Sequence, residues 1–191
     1  MNIVPTNVNY TYSLLRRNLI ELNSTFPFLN VQVIGNSVLG KNIYAVKLGK
    51  GPNKVFYSGT FHANEWIVSV VLMKFIEDYC DAYVNKSSLY NQYIPDLFNS
   101  ASIFIVPMVN PDGADLVTGN IFTSSYAYER ALGIANGFPE IPFPSGWKAN
   151  INGESLINFH HFIFKKQCSI FYTFITFYIA FTSIEFSLLR I

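Results

Sequence analysis

Val55-Phe-Tyr-Ser58 is an apolar run of strand length, and a few residues later the chain takes up the spacing of an amphipathic helix. A short strand that is apolar throughout is the kind covered on both faces in an α/β domain. From Glu65 to about Tyr83, the residues Ile67, Val70, Val71, Lys74, Phe75 and Asp78 trace a helix whose apolar side returns to the sheet. Ile103-Phe-Ile-Val106 then supplies a further buried strand. Strand, helix and strand in that order predict an α/β fold with a mixed, largely parallel sheet, flanking helices and right-handed crossovers.

The flanking segments extend this frame. Tyr12, Leu15, Leu19 and Leu22 share one face of an opening helix over 9–23, with Asn9 or Thr11 as its N-cap, and Pro27 enforces the break that follows. Val31-Gln-Val-Ile34 and Ile43-Tyr-Ala-Val-Lys-Leu48 form a hairpin-like pair around the Leu39-Gly40 turn. With 191 residues, half of them hydrophobic, one ordinary domain with a real core is the default. Thirteen Lys plus Arg against twelve Asp plus Glu leave a charge of +1, which gives no electrostatic footprint for nucleic acid. Cys80 and Cys168 are too few for a disulfide framework, and Cys80 falls on the amphipathic helix as an ordinary buried thiol. The polar start, without a basic region followed by an apolar core, carries no secretory signal, so the expected location is cytoplasmic.

The chemistry lies where the first strand meets its helix, in Ser58-Gly-Thr-Phe-His62-Ala-Asn-Glu65-Trp66. His62 and Glu65 lie about one helical turn apart and can reach one cation from one side, which suits two of the three protein ligands of a catalytic zinc. The plain alternative is a His that caps a buried turn and a Glu that favours the positive end of a helix. Asn110-Pro-Asp-Gly113 follows the later strand and is a cluster of turn formers. Ligands of α/β sheets gather at the carboxyl ends of strands, so the two polar motifs converge on one rim.

These segments resemble the zinc carboxypeptidase family, in particular its bacterial branch of γ-D-glutamyl-L-diamino acid endopeptidases. The likeness is carried by Ile34-Gly-Asn-Ser37-Val-Leu-Gly40-Lys-Asn-Ile-Tyr44, by the His62/Glu65 segment, by Val106-Pro-Met-Val-Asn110-Pro-Asp-Gly113-Ala-Asp-Leu116, and by Pro139-Glu-Ile-Pro142 through Trp147-Lys148 to Gly153. It implies the N-terminal portion of a zinc carboxypeptidase fold over 1–153, with zinc as cofactor and His62 and Glu65 as metal ligands. The implied substrate is a peptide or a peptidoglycan stem peptide, cleaved by zinc-dependent hydrolysis. Many members carry an arginine after a tryptophan as oxyanion contact. Here Lys148 follows Trp147, a candidate oxyanion or substrate contact that keeps the charge and loses the planar fork, with a solvated loop cation as the equal alternative. Asn110-Pro-Asp-Gly113 reads as a structural turn with indirect function, and Arg130 as an exposed helical residue and not a substrate clamp.

After Gly153 the likeness stops, and 154–191 form a divergent apolar tail. The family's third zinc ligand, its late tyrosine and its catalytic glutamate have no evident counterpart; His160, His161 and Glu185 are poor replacements among aromatic neighbours. The sequence therefore reads as a C-terminally truncated member with impaired catalysis. Residues 167–184 lack charge and follow Lys165-Lys166, which allows membrane attachment, although their Thr, Ser and Tyr content equally suggests an out-of-frame product. Two alternatives to the peptidase stand: a non-catalytic remnant or peptide-binding fragment, and an amidohydrolase of the aspartoacylase type.

Overall fold

The computed structural model describes residues 2–156. Helix α1 (Tyr12–Thr25) opens on Thr11, whose hydroxyl accepts from the Leu14 amide, and buries Leu15, Leu19 and Leu22 as the leucine spacing predicts. The hairpin follows as β1 (Asn30–Asn36) and β2 (Asn42–Gly49), antiparallel, with an irregularity in register between Val33 and Gly35. Strand β3 (Asn53–Ser58) leads to a 3₁₀ turn (Ala63–Glu65) and then to α2 (Ile67–Val84). A small ribbon of β4 (Ser88–Leu89) and β5 (Gln92–Tyr93) precedes α3 (Ile94–Ser100) and β6 (Ala101–Val106). Two helices complete the described chain, α4 (Pro111–Val117) and α5 (Tyr126–Ala135).

The main sheet runs β1-β2-β6-β3. It is mixed, as expected, but the expectation of a largely parallel sheet is corrected among the described residues. β1–β2 and β2–β6 pair antiparallel, and β3–β6 is the parallel pair. The cause is local: the short hairpin connection makes β2 antiparallel to β1, and β2 then lies against β6 in the opposite sense. The crossover from β3 through α2 and α3 to β6 is long enough to restore the parallel sense. Because β3 and β6 run together, their carboxyl ends reach the same rim.

The buried core joins α1, α2 and the sheet through residues such as Leu15, Leu22, Val46, Met73, Ile76 and Ile105. Cys80 lies inside it, and burial pushes its thiol up to about 12, as fits an inert packing residue. Two expectations for α2 need correction. The helix begins at Ile67, after the 3₁₀ turn. Its buried face is Ser69, Val70, Met73, Ile76, Glu77 and Cys80, whereas Ile67 and Val71 are exposed. Polar residues on the inward face hid it from a hydrophobicity reading. The Ser69 hydroxyl donates to the Pro107 carbonyl at 2.8 Å, and the Glu77 carboxylate accepts from the Ile3 and Val4 amides at 2.8 and 3.1 Å. β3 is half-buried among the described residues rather than covered on both faces.

No helix among the described residues is long and apolar enough to cross a membrane. The tail division at 154, the 167–184 segment, His160, His161 and Glu185 fall wholly or mainly outside the described residues.

Candidate metal centre

Past Ser58 the chain continues beside the end of β6: the Val109 amide donates to the Gly59 carbonyl and the Asn110 amide to the Thr60 carbonyl, each at 3.0 Å. Thr60 has φ of 57°, a left-handed conformation rare for a β-branched residue. Strain of this kind persists where surrounding contacts over-determine it. Here the buried Thr60 hydroxyl lies 2.7 Å from Ser69 Oγ and 3.2 Å from the Glu65 carbonyl, which ties the far end of the turn back to its start.

His62 caps the 3₁₀ turn in extended conformation, and Glu65 ends it. With three residues per turn, positions i and i+3 eclipse one another. His62 Nδ1 and Glu65 Oε1 consequently meet at 2.8 Å, with side chains 20% and 31% exposed. The two donors are thus brought together, half-open to solvent, at the rim. Imidazole nitrogen with carboxylate oxygen is the donor chemistry that zinc accepts. The fit is partial, since a catalytic zinc takes three protein ligands and no group of three or more His, Cys, Asp or Glu that could hold a metal ion occurs among the described residues.

A second segment closes on the turn from the other side. The Ala63 amide donates to the Lys148 carbonyl at 3.2 Å and the Asn64 amide to the Trp147 carbonyl at 3.1 Å. Lys148 is therefore anchored by its backbone beside the His62/Glu65 turn while its side chain is exposed. Trp147 is buried with Ala63, Leu116, Ala131 and Ile151, stands edge-on to Phe143 at 5.8 Å, and donates its indole N–H to the Asn150 carbonyl. Asn150 in turn folds the chain back by accepting from the Asn152 and Glu154 amides at 3.0 and 2.9 Å.

The Asn110-Pro-Asp-Gly113 segment is not a simple turn. Asn110 is the N-cap of α4, accepting from the Gly113 amide at 3.0 Å, with Pro111 in the first turn where its missing N–H costs nothing. Asp112 and Asp115, both buried, flank the Lys41 ammonium at 3.4 and 2.7 Å and hold the β1–β2 turn and the start of α1 through the Leu39 and Tyr12 amides. Arg130 is exposed on α5, as expected. The sequence reading missed Thr60, Asn150 and the full role of Asn110; the N-cap followed by Pro was the available signal for α4.

The zinc carboxypeptidase family description matches residues 15–130. The γ-D-glutamyl-L-diamino acid endopeptidase 1 of Lysinibacillus sphaericus is 40% identical over 148 residues, covering 78% of this chain and 37% of that relative. The uncharacterized protein YqgT of Bacillus subtilis (strain 168) is 36% identical over 149 residues, covering 77% of this chain and 39% of its own. The chain thus spans less than two-fifths of the length of these curated relatives. Bovine thrombin-activatable fibrinolysis inhibitor, solved in complex with tick carboxypeptidase inhibitor, superposes with a TM-score of 0.50 at 18% identity over 74% of this chain and 36% of that one, a likeness of fold alone. With the family description matching more than half of its length, the chain belongs to the zinc carboxypeptidase family.

Proposed function

We propose that this chain carries the His62/Glu65 part of a zinc-dependent peptidase site whose substrate is a γ-D-glutamyl bond of a peptidoglycan stem peptide. The observation that carries the reading is the 2.8 Å approach of His62 Nδ1 and Glu65 Oε1 at the common rim of β3 and β6. The bond named for the Lysinibacillus sphaericus relative supports the choice of substrate.

His62 and Glu65 would hold the metal, which when bound supplies a Lewis acid for the scissile carbonyl and an acidified water. The chain's own residues set the stage for that chemistry. The 3₁₀ turn brings the two donors together, and the Trp147-Lys148 segment is hydrogen-bonded to that turn. Lys148, held by its backbone beside the turn with its side chain exposed, would offer an ammonium to a substrate carboxylate or a developing oxyanion, as a point charge and not a bidentate fork. Trp147 and Phe143 pack edge-on in the small apolar cluster that includes Ala63 of the turn. A third donor is required from beyond the described residues.

The test is metal analysis and calorimetric titration with zinc, alongside His62→Ala and Glu65→Ala, followed by incubation with a γ-D-glutamyl-diamino acid peptide and with an ordinary C-terminal peptide. Stoichiometric zinc lost in both variants, with cleavage of the γ-linked peptide, supports the reading. Release of C-terminal residues instead moves the substrate to ordinary peptides, and deacylation of small acylated amino acids favours the aspartoacylase-type alternative. A second reading, a non-catalytic peptide-binding fragment, is favoured by the lack of a third donor among the described residues. Peptide binding without turnover or zinc would establish it.

A further inference from the structure

Asn110 is 2% exposed, and its side chain uses both amide N–H donors and its carbonyl oxygen. Nδ2 donates to the Phe61 carbonyl at 3.1 Å and to the Ala149 carbonyl at 2.9 Å, while Oδ1 accepts from the Gly113 amide at 3.0 Å. Two carbonyl partners on one side and an N–H on the other leave a single consistent orientation of the amide. Its backbone amide adds the bond to the Thr60 carbonyl.

These bonds bracket His62. The carbonyl immediately before it is held by Asn110, and the amide immediately after it, of Ala63, is held by the Lys148 carbonyl. Lys148 is itself next to Ala149, the second carbonyl that Asn110 holds. One buried amide therefore ties together the strand end that delivers the histidine, the loop that closes on the turn, and the first turn of α4. Gly113 shows how close this junction is: a Cβ there would lie 2.6 Å from Asn110 Nδ2 and 2.7 Å from the Ala63 Cβ.

We propose that Asn110 is a positioning residue that sets the backbone of His62 and so the separation of His62 and Glu65 for metal binding; this rests on the reading of those two side chains as metal donors. An isosteric carboxylate separates the two duties of the amide. Asp keeps an acceptor for the Gly113 amide and is as good an N-cap as Asn, so α4 retains its start. It offers no donor, and sets a negative charge against two carbonyl oxygens. Ser also caps well but is too short to serve both carbonyls.

The test compares wild type, Asn110→Asp, Asn110→Ser and the distant core variant Leu22→Ala in two measurements. The first is amide hydrogen exchange of the metal-free protein. Faster exchange is expected at Ala63 and Asn64 in both Asn110 variants, with those amides unchanged in Leu22→Ala. The second is titration with Zn²⁺ or Co²⁺, where both Asn110 variants should lose about 10–100-fold in affinity, the range for partners that orient metal ligands. Leu22→Ala should bind as wild type despite its lower Tm. Wild-type exchange and affinity in the Asn110 variants would overturn the inference, as would an equal loss in Leu22→Ala. If the wild type itself binds no metal above His62→Ala and Glu65→Ala, the metal reading falls. The exchange result then separates that failure from a failure of Asn110 to hold the turn.

Discussion

Around Met73 and Ile76 the molecule is held by apolar surface, whereas around Trp147 and Ile151 it is held by a small apolar cluster laced with directed hydrogen bonds. In the first region shape and volume are what matter, and side chains of similar size can exchange with modest loss. In the second, Asn110, the Trp147 and Lys148 carbonyls and the Thr60 hydroxyl each meet a specific partner. A hydrogen bond loses its value with direction as well as with distance. This contrast predicts that stability and site geometry are separable in this fold, the large cluster dominating the first and the rim the second.

The strongest test of that separation is Ile76→Ala. Ile76 is fully buried in the large cluster, and its truncation should cost about 2–5 kcal/mol in denaturant unfolding. Metal affinity measured well below the denaturation midpoint should not change. A parallel fall in both would mean that the core and the rim are one unit. Gly113→Ala makes the opposite demand. The added methyl meets Asn110 and Ala63, with an expected loss of about 1–3 kcal/mol for overpacking. Here the metal affinity should fall with stability, because the atoms that must yield are the Asn110 amide and the Ala63 methyl next to His62.

Glu77 sharpens the comparison from the other side, as a polar group inside the large cluster. Burial alone would raise its carboxyl, but the Ile3 and Val4 amides and the Lys74 ammonium outweigh burial and hold it below the ordinary value of 4.5. The folded chain therefore keeps the carboxylate ionised at pH values where the unfolded chain takes up a proton. This contribution is fully present above 4.5 and is lost as pH falls through the lowered folded value. Glu77→Gln should cost about 1–2 kcal/mol at neutral pH through the lost charged acceptor. The gap to wild type should close as pH falls, which urea titrations at stepped pH would show. A gap independent of pH would assign Glu77 a packing role only.

Much of this was legible in the sequence wherever one residue type answers one requirement. Leucines at helical spacing marked α1, apolar runs marked β2, β3 and β6, and the strand order placed His62 and Asn110 on one rim. Groups whose meaning depends on a distant partner stayed hidden. Ser69 and Glu77 look like solvent-facing positions until Pro107 and Ile3 are folded against them. That misplaced the buried face of α2 and put Ile67 and Val71 inward. Asn-Pro-Asp-Gly satisfies the rules for a turn and for a helix start alike; the cap on the Gly113 amide makes it the start of α4, and the bonds of Asn110 to the Phe61 and Ala149 carbonyls are the part no local rule shows. The sheet is less parallel than the order strand, helix, strand implies, because no local signal shows that the hairpin joins β6 through β2 in the antiparallel sense.

Arg130 supplies the smallest expected effect and a check on the rim's extent. It is exposed on α5, four residues from Tyr126 at the helix start, while the face that α5 buries is centred on Ala131 in the small cluster. An exposed side chain away from caps and buried networks is worth within about 0.5 kcal/mol. Arg130→Ala should therefore unfold at the wild-type denaturant midpoint and bind metal with wild-type affinity. A rise in KM for a carboxylate-bearing peptide at unchanged kcat would instead assign its guanidinium to substrate binding. The site would then extend over α5, and the hydrogen-bonded junction at Asn110 would be one wall of a larger cleft.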